Sequence, residues 1–96
     1  MLINKGVSIG EVVTIKLTSG EELIAKLVEE NPMQYKLNRP MVLSAGLKGI
    51  GMVPYLFTVH PDKDVNLTRS TVTVIEATDK EFADAYTSQT TGIALS

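Results

Sequence analysis

The stretch Glu11–Glu30, EVVTIKLTSGEELIAKLVEE, decides the fold of this chain. In its first half, apolar residues alternate with Thr and Lys, which is the two-residue period of a strand with one buried face. Ser19-Gly20 is a pair that can form a tight turn. In the second half, residues 23–28 are apolar on both faces apart from Lys26. The stretch therefore predicts an antiparallel hairpin whose second strand bends sharply and packs on two surfaces.

Three further extended segments follow this hairpin. Residues 34–44 predict a third strand with an edge or a bulge at Asn38-Arg39-Pro40, because proline cannot donate a ladder hydrogen bond. Residues 52–60 predict a fourth strand. Residues 65–76 predict a fifth strand whose inward face changes at Ser70-Thr71, which requires a bend or bulge. Five short, strongly bent antiparallel strands without crossover helices predict a mainly β fold, a small barrel.

A short C-terminal helix is predicted over residues 79–89. It is preceded by Thr78-Asp79-Lys80-Glu81, which has the pattern of a capping box. Ninety-six residues suffice for one domain only. We therefore expect a single domain over residues 1–96, with the barrel over about residues 11–76.

The residue types exclude most side-chain catalysis. There is no cysteine, which rules out disulfides, thiolate zinc sites and cysteine nucleophiles. The one histidine, His60, stands near Asp62 and Asp64, and we interpret this segment as a solvated turn because zinc requires three or four ligands. No serine has the context of a nucleophile elbow. We predict that the chain is not an enzyme and has no catalytic residue, cofactor or metal.

Charge and hydropathy limit the partners. The formal net charge is −2, so any nucleic acid must be bound by a local basic patch rather than by the whole surface. No apolar stretch approaches the roughly 20 residues that a membrane-spanning helix needs. Residues 1–10 do not resemble a signal peptide. These features predict a cytoplasmic protein with no membrane partner and no small-molecule substrate.

Basic and aromatic residues occur together in the predicted strands. Arginine and stacked aromatic rings commonly hold single-stranded nucleic acid. Spacing alone, however, favours core or subunit contacts for these rings. The residues concerned are Lys36, Arg39 and Arg69, with the aromatic residues Tyr35, Tyr55 and Phe57.

Two segments resemble the paired motifs of the Sm/LSm/Hfq-like family. Residues 13–20 with residues 30–34 (ENPMQ) resemble the first motif, and residues 65–75 (VNLTRSTVTVI) resemble the second. Over nearly its full length the chain is similar to Sm-like proteins of tailed phages that infect cyanobacteria (cyanophages), in SGEELIAKLVEE, in the glycine-rich loop before Met-Val-Pro-Tyr and in the C-terminal helix. The resemblance implies a five-stranded Sm-like barrel. Under it, residues 52–60 form either the fourth barrel strand or one arm of a hairpin before it.

The resemblance also implies an assembly and a ligand. In Sm-like rings the fourth strand of one subunit pairs with the fifth strand of the next, which implies a homo-oligomer of about five to seven copies. Such a ring binds single-stranded nucleic acid, RNA in preference to DNA, and would act in phage RNA or DNA processing in the cytoplasm of an infected host cell. Thr68 stands at the arginine position of the second motif, so a uridine preference is not implied. The candidate contacts are Met33, Gln34, Lys36, Arg39, Thr68, Arg69 and Ser70.

An alternative without nucleic acid remains open. The acidic total charge, Pro32 at the position of an aromatic base-stacking residue in the family, and Thr68 favour a non-catalytic ring that serves a phage as a protein-interaction or structural adaptor.

Overall fold

The computed structural model describes residues 7–47 and 49–92. Residues 1–6 and 93–96, which fall within the predicted single domain, lie outside the described residues. The described chain is mainly β, as predicted, and has a C-terminal helix. Its elements are β1 (Val12–Leu17), β2 (Glu22–Glu30), β3 (Gln34–Gly46), β4 (Gly49–Pro54), β5 (Val65–Thr68), a 3-10 turn (Arg69–Thr71), β6 (Val72–Ala77) and α1 (Lys80–Gly92).

The predicted number of five strands is wrong, because six strands form in the described chain. The expected last strand, residues 65–76, is divided into β5 and β6 by the 3-10 turn, at the place where its inward face was predicted to change. The Thr71 hydroxyl donates to the Thr68 carbonyl at 2.7 Å and fixes this turn. The expected fourth strand, residues 52–60, is also displaced. β4 begins earlier and ends at Pro54, whose ring cannot continue a ladder.

The strands form one antiparallel sheet in the order β4-β3-β2-β1-β6, and β5 pairs with β3 next to β4. Because β3 is 13 residues long, its first half pairs with β5 and its second half with β4. Within the described residues, no ladder joins β5 to β6, so the sheet is not closed by hydrogen bonds and the predicted Sm-like barrel is not confirmed. The 3-10 turn connects these two strands covalently. The chain thus returns from β3 to β1 around the main core.

β2 packs on both faces, as its sequence predicts. Leu23, Ala25 and Leu27 point into the main core. Ile24 points the other way and packs with Met41 and Tyr86 in a second core under α1. The residues buried with β2 in the main core are Val13, Ile15, Leu17, Tyr35, Leu37 and Leu67.

The bend of the sheet is accommodated by two irregularities between β2 and β3. Lys26 pairs with Asn38 and Ile24 with Met41, so β3 holds one more residue than β2 in this interval. Arg39 takes a φ of 52° there, a left-handed conformation that non-glycine residues rarely adopt. The bulge predicted at residues 38–40 is therefore confirmed.

α1 crosses the outer face of the sheet from β6 towards β4. At its start, the Thr78 amide donates to the Val12 carbonyl at 3.1 Å. At its end, the Gln89 side-chain amide donates to the Met52 carbonyl at 3.2 Å. The helix extends three residues beyond the predicted end at residue 89. In the described parts of the chain, no helix is both long enough and apolar enough to cross a membrane.

Tyr86 joins α1 to the bulge of β3. Its hydroxyl lies 3.0 Å from the Asn38 carbonyl oxygen and 2.9 Å from that of Arg39. We expect Tyr86→Phe to lower the free energy of unfolding by about 1–2 kcal/mol, because two partly buried carbonyls lose their donor. Urea denaturation measures this change. Tyr55→Phe is the matched control, since the half-buried Tyr55 ring has no hydroxyl hydrogen bond within the described chain. If Tyr55→Phe lowered the free energy of unfolding as much as Tyr86→Phe, the stabilising role of the Tyr86 hydroxyl would be contradicted.

The same site predicts a pH dependence of stability. Burial raises the pKa of the Tyr86 hydroxyl to about 12 from 10.0. Because the folded-state pKa is the higher one, this contribution to stability is complete below about pH 10 and is lost as the pH rises through about 12. We expect the free energy of unfolding to fall more steeply across this range for the wild type than for Tyr86→Phe. Parallel curves for the two proteins would show that Tyr86 does not titrate differently on folding.

Candidate nucleic-acid interface

Two turns that are distant in sequence meet at one end of the sheet. The first is the β2–β3 turn (residues 31–33), and the second is the 3-10 turn. They meet because the first residue of β3, Gln34, pairs with the last residue of β5, Thr68. The Arg69 amide then donates to the Met33 carbonyl at 2.9 Å. Strand register, rather than side-chain contact alone, brings the two segments together.

Asn31 organises the β2–β3 turn. Its side-chain Oδ1 accepts from the amides of Met33 at 2.8 Å and Gln34 at 2.9 Å. The backbone amide of Asn31 donates to the Gln34 carbonyl at 3.0 Å. Asparagine forms this kind of local turn readily. The Met33 side chain is left 71% exposed at the tip.

Arg69 fastens the 3-10 turn to the β2–β3 turn. Its guanidinium donates to Glu30 Oε1 at 3.2 Å and to the Asn31 carbonyl at 3.1 Å. Its Cζ lies 4.4 Å from the centroid of the Tyr35 ring, which is itself buried in the main core. The positive charge is therefore balanced by Glu30 and by the face of the ring. Arg69 therefore holds the two turns together.

A polar pocket opens beside these turns. Its volume is about 130 Å³. Lys36 pairs across the sheet with Asn66 and forms an ion pair with Glu29 at 3.2 Å. The side-chain amides of Gln34 and Asn66 have no hydrogen-bond partner in the part of the chain that the structure describes. The lining residues are Glu29, Asn31, Gln34, Lys36 and Asn66.

This arrangement offers hydrogen bonding with one accessible positive charge. Each carboxamide presents a donor and an acceptor, and a lysine presents three donors. Such a set can bind the polar edge of a planar base and an adjacent phosphate.

The structure places six of the seven predicted contact residues near this pocket or in the two turns. Asn31 and Asn66 also line the pocket but are not among the predicted contacts. Asn66 can be recognised as a pocket residue only when the β3–β5 register is known, because that register places it directly opposite Lys36. The six predicted residues that come together are Met33, Gln34, Lys36, Thr68, Arg69 and Ser70.

Arg39, the seventh predicted contact, lies elsewhere. The bulge in β3 directs its guanidinium to Asp62, with which it forms an ion pair. It lines a separate, apolar groove beyond the pocket. His60 lies in the same region, where its Nδ1 accepts from the Asp62 amide at 3.1 Å. Among residues 7–47 and 49–92, no cluster of three His, Asp or Glu residues is arranged to hold a metal ion.

We call the contacts of Arg69 with Glu30, Asn31 and Tyr35 the Arg69 clamp. A substitution that keeps the positive charge tests it. We expect Arg69→Lys to lower the free energy of unfolding by about 1 kcal/mol, because lysine cannot stack on Tyr35 while bonding two acceptors in a fork. Urea denaturation of both proteins measures it. Lys36→Ala removes an exposed ion pair and serves as the control, with an expected change below about 0.5 kcal/mol. Equal stability of Arg69→Lys and the wild type would contradict the clamp.

No known protein family and no curated protein matches this sequence. The Sm-like resemblance therefore stays a prediction from the motifs, and the choice of a function depends on the geometry of the pocket and the two turns.

Proposed function

We propose that the chain is a subunit of an Sm-like homo-oligomeric ring that binds single-stranded nucleic acid, RNA in preference to DNA. The observation that carries the proposal is the meeting of the two turns beside a polar pocket with unpaired carboxamides. In the sequence these turns belong to the two segments that resemble the Sm motifs. We assign β5 and β6 as the fourth and fifth barrel strands and β4 as the arm of a hairpin with β3.

The free edges of the sheet support a ring. β5 pairs with β3 alone and β6 with β1 alone among the described strands, so each has an unpaired edge. Unpaired edges are sites at which another strand can add. Heterologous pairing of β5 with β6 of the next copy satisfies both edges, and a suitable rotation closes the ring.

The chemistry of the pocket supports a nucleic-acid ligand. Gln34 and Asn66 can bond the edge of an unstacked base, and single-stranded RNA exposes these edges. Lys36 supplies a cation for phosphate. The carboxamides can also bond a 2′-hydroxyl, which is the basis for the preference for RNA. A ring repeats each pocket, with Lys36 and its partner Glu29, in every subunit, so one strand can contact several pockets although the net charge of each chain is −2.

Fluorescence anisotropy with labelled oligo(U), oligo(A) and single-stranded DNA tests the proposal. We expect the double substitution Gln34→Ala and Asn66→Ala to weaken binding about tenfold, equivalent to roughly 1.4 kcal/mol. We expect Lys36→Ala to weaken binding and to reduce the salt dependence by about one counterion.

Asn38→Ala is the matched control, because this carboxamide lies on β3 but bonds Asp64 outside the pocket. Its affinity should equal that of the wild type. The absence of binding to all three oligonucleotides at low salt would overturn the proposal. Equal losses in Asn38→Ala and the double variant would remove the pocket from the binding surface.

A second candidate is a ring that acts only as a protein-interaction or structural adaptor. It is favoured by the ion pair between Arg69 and Glu30, which neutralises the one arginine of the two turns. It is also favoured by Met33, an exposed apolar residue at the tip of the turn. A ring of the expected mass that binds none of the oligonucleotides would select this candidate.

A further inference from the structure

An apolar groove lies between the end of β4 and the start of β5, away from the polar pocket. Its volume is about 260 Å³. The end of α1 forms one wall through Gln89 and Thr90. Phe57 is 80% exposed at its rim. The main apolar lining residues are Met41, Pro54, Leu56, Phe57, Val59 and Val65.

The charge at the groove is one-sided. Arg39 and Lys63 are the charged residues that line it, and none of its lining residues in the described chain is acidic. Arg39 is neutralised by Asp62, whereas the Lys63 ammonium has no ion pair among the described residues. An occupant that matches this groove carries an apolar side chain with carboxylates beside it.

The first turn of α1 has this composition. Phe82, one of the two phenylalanines of the chain, is a large apolar side chain that is 39% exposed. Asp79, which directly precedes α1, and Glu81 lie on its N-terminal side and are exposed. Lys80, which stands between them, is paired with Asp84 at 2.8 Å. Large apolar side chains at a surface commonly mark an interaction site when they complement a groove elsewhere on the same molecule.

The topology brings these two surfaces together between copies. When β5 pairs antiparallel with β6 of the next copy, Val65 at the start of β5 lies towards Ala77 at the end of that β6. α1 of the next copy begins three residues later, at Lys80. In each copy α1 crosses the outer face from β6 towards β4, and its end adjoins the groove through Gln89 and Thr90.

We propose that the groove of each subunit receives Phe82 of the next copy, so that the α1 helices follow one another head to tail around the ring. This inference rests on the proposed ring and adds a second contact to it. Lys63 then faces the carboxylates at the start of the neighbouring helix. The occupant is a second copy of this chain, and the contact is heterologous.

Disulfide trapping tests this contact, since the chain has no cysteine. Phe57→Cys and Ala85→Cys are introduced together, because Ala85 is exposed one helical turn from Phe82 and its replacement leaves the docking side chain in place. The protein is oxidised gently and run on a non-reducing denaturing gel. The two positions can bond only if their Cα atoms approach within about 7 Å. Met33→Cys with Phe57→Cys is the control, because Met33 is as accessible as Phe57 but lies in the β2–β3 turn.

We expect a ladder of covalent multimers for the Phe57→Cys and Ala85→Cys protein and only traces for the control. Light scattering on the same samples gives the mass of the assembly. A ring mass without a ladder above the control would overturn the head-to-tail contact and leave the ring standing. A monomer mass would overturn both the ring and this contact. A ladder of equal strength in the control would show collision rather than docking and would also overturn the contact.

Discussion

The burial of both faces of β2 is the constraint on which the rest of the structure depends. Leu23 and Leu27 need an apolar surface on one side, and Ile24 needs another on the opposite side. A flat sheet exposed on one face cannot provide both. The sheet therefore curls around the main core, with irregularities between β2 and β3 to relieve the bend. α1 then covers the outer face, where Tyr86 packs against Ile24.

The candidate interface is a consequence of how this curled sheet returns on itself. β3 is long enough to pair with β5 along its first half and with β4 along its second half. The short 3-10 turn then connects β5 to β6. That turn is held against the β2–β3 turn by Arg69, which spans Tyr35 of the core and Glu30 at the end of β2. The side chains of the pocket thus project from backbone that is fixed by the fold, which is what a preorganised binding site requires.

Local patterns in the sequence predict the elements, whereas the site depends on register. Alternation in β1 and β2, and the change of inward face at Ser70-Thr71, depend on neighbouring residues and are visible in the sequence. The bulge at residues 38–40 is also visible there. The direction of the Arg39 side chain is not visible in the sequence, because it depends on the φ angle of that one residue. Likewise Asn66 joins the pocket only through the pairing of β3 with β5, a contact between residues about thirty positions apart.

Hydrogen–deuterium exchange of the protein with and without oligo(U) is the most direct test of whether the two turns form one binding surface. The account predicts slower exchange on binding in residues 31–36 and 66–71 together, and no change in residues 38–40 at the bulge. Slower exchange confined to the apolar groove and residues 55–63, or no change anywhere in the presence of bound oligonucleotide, would contradict it.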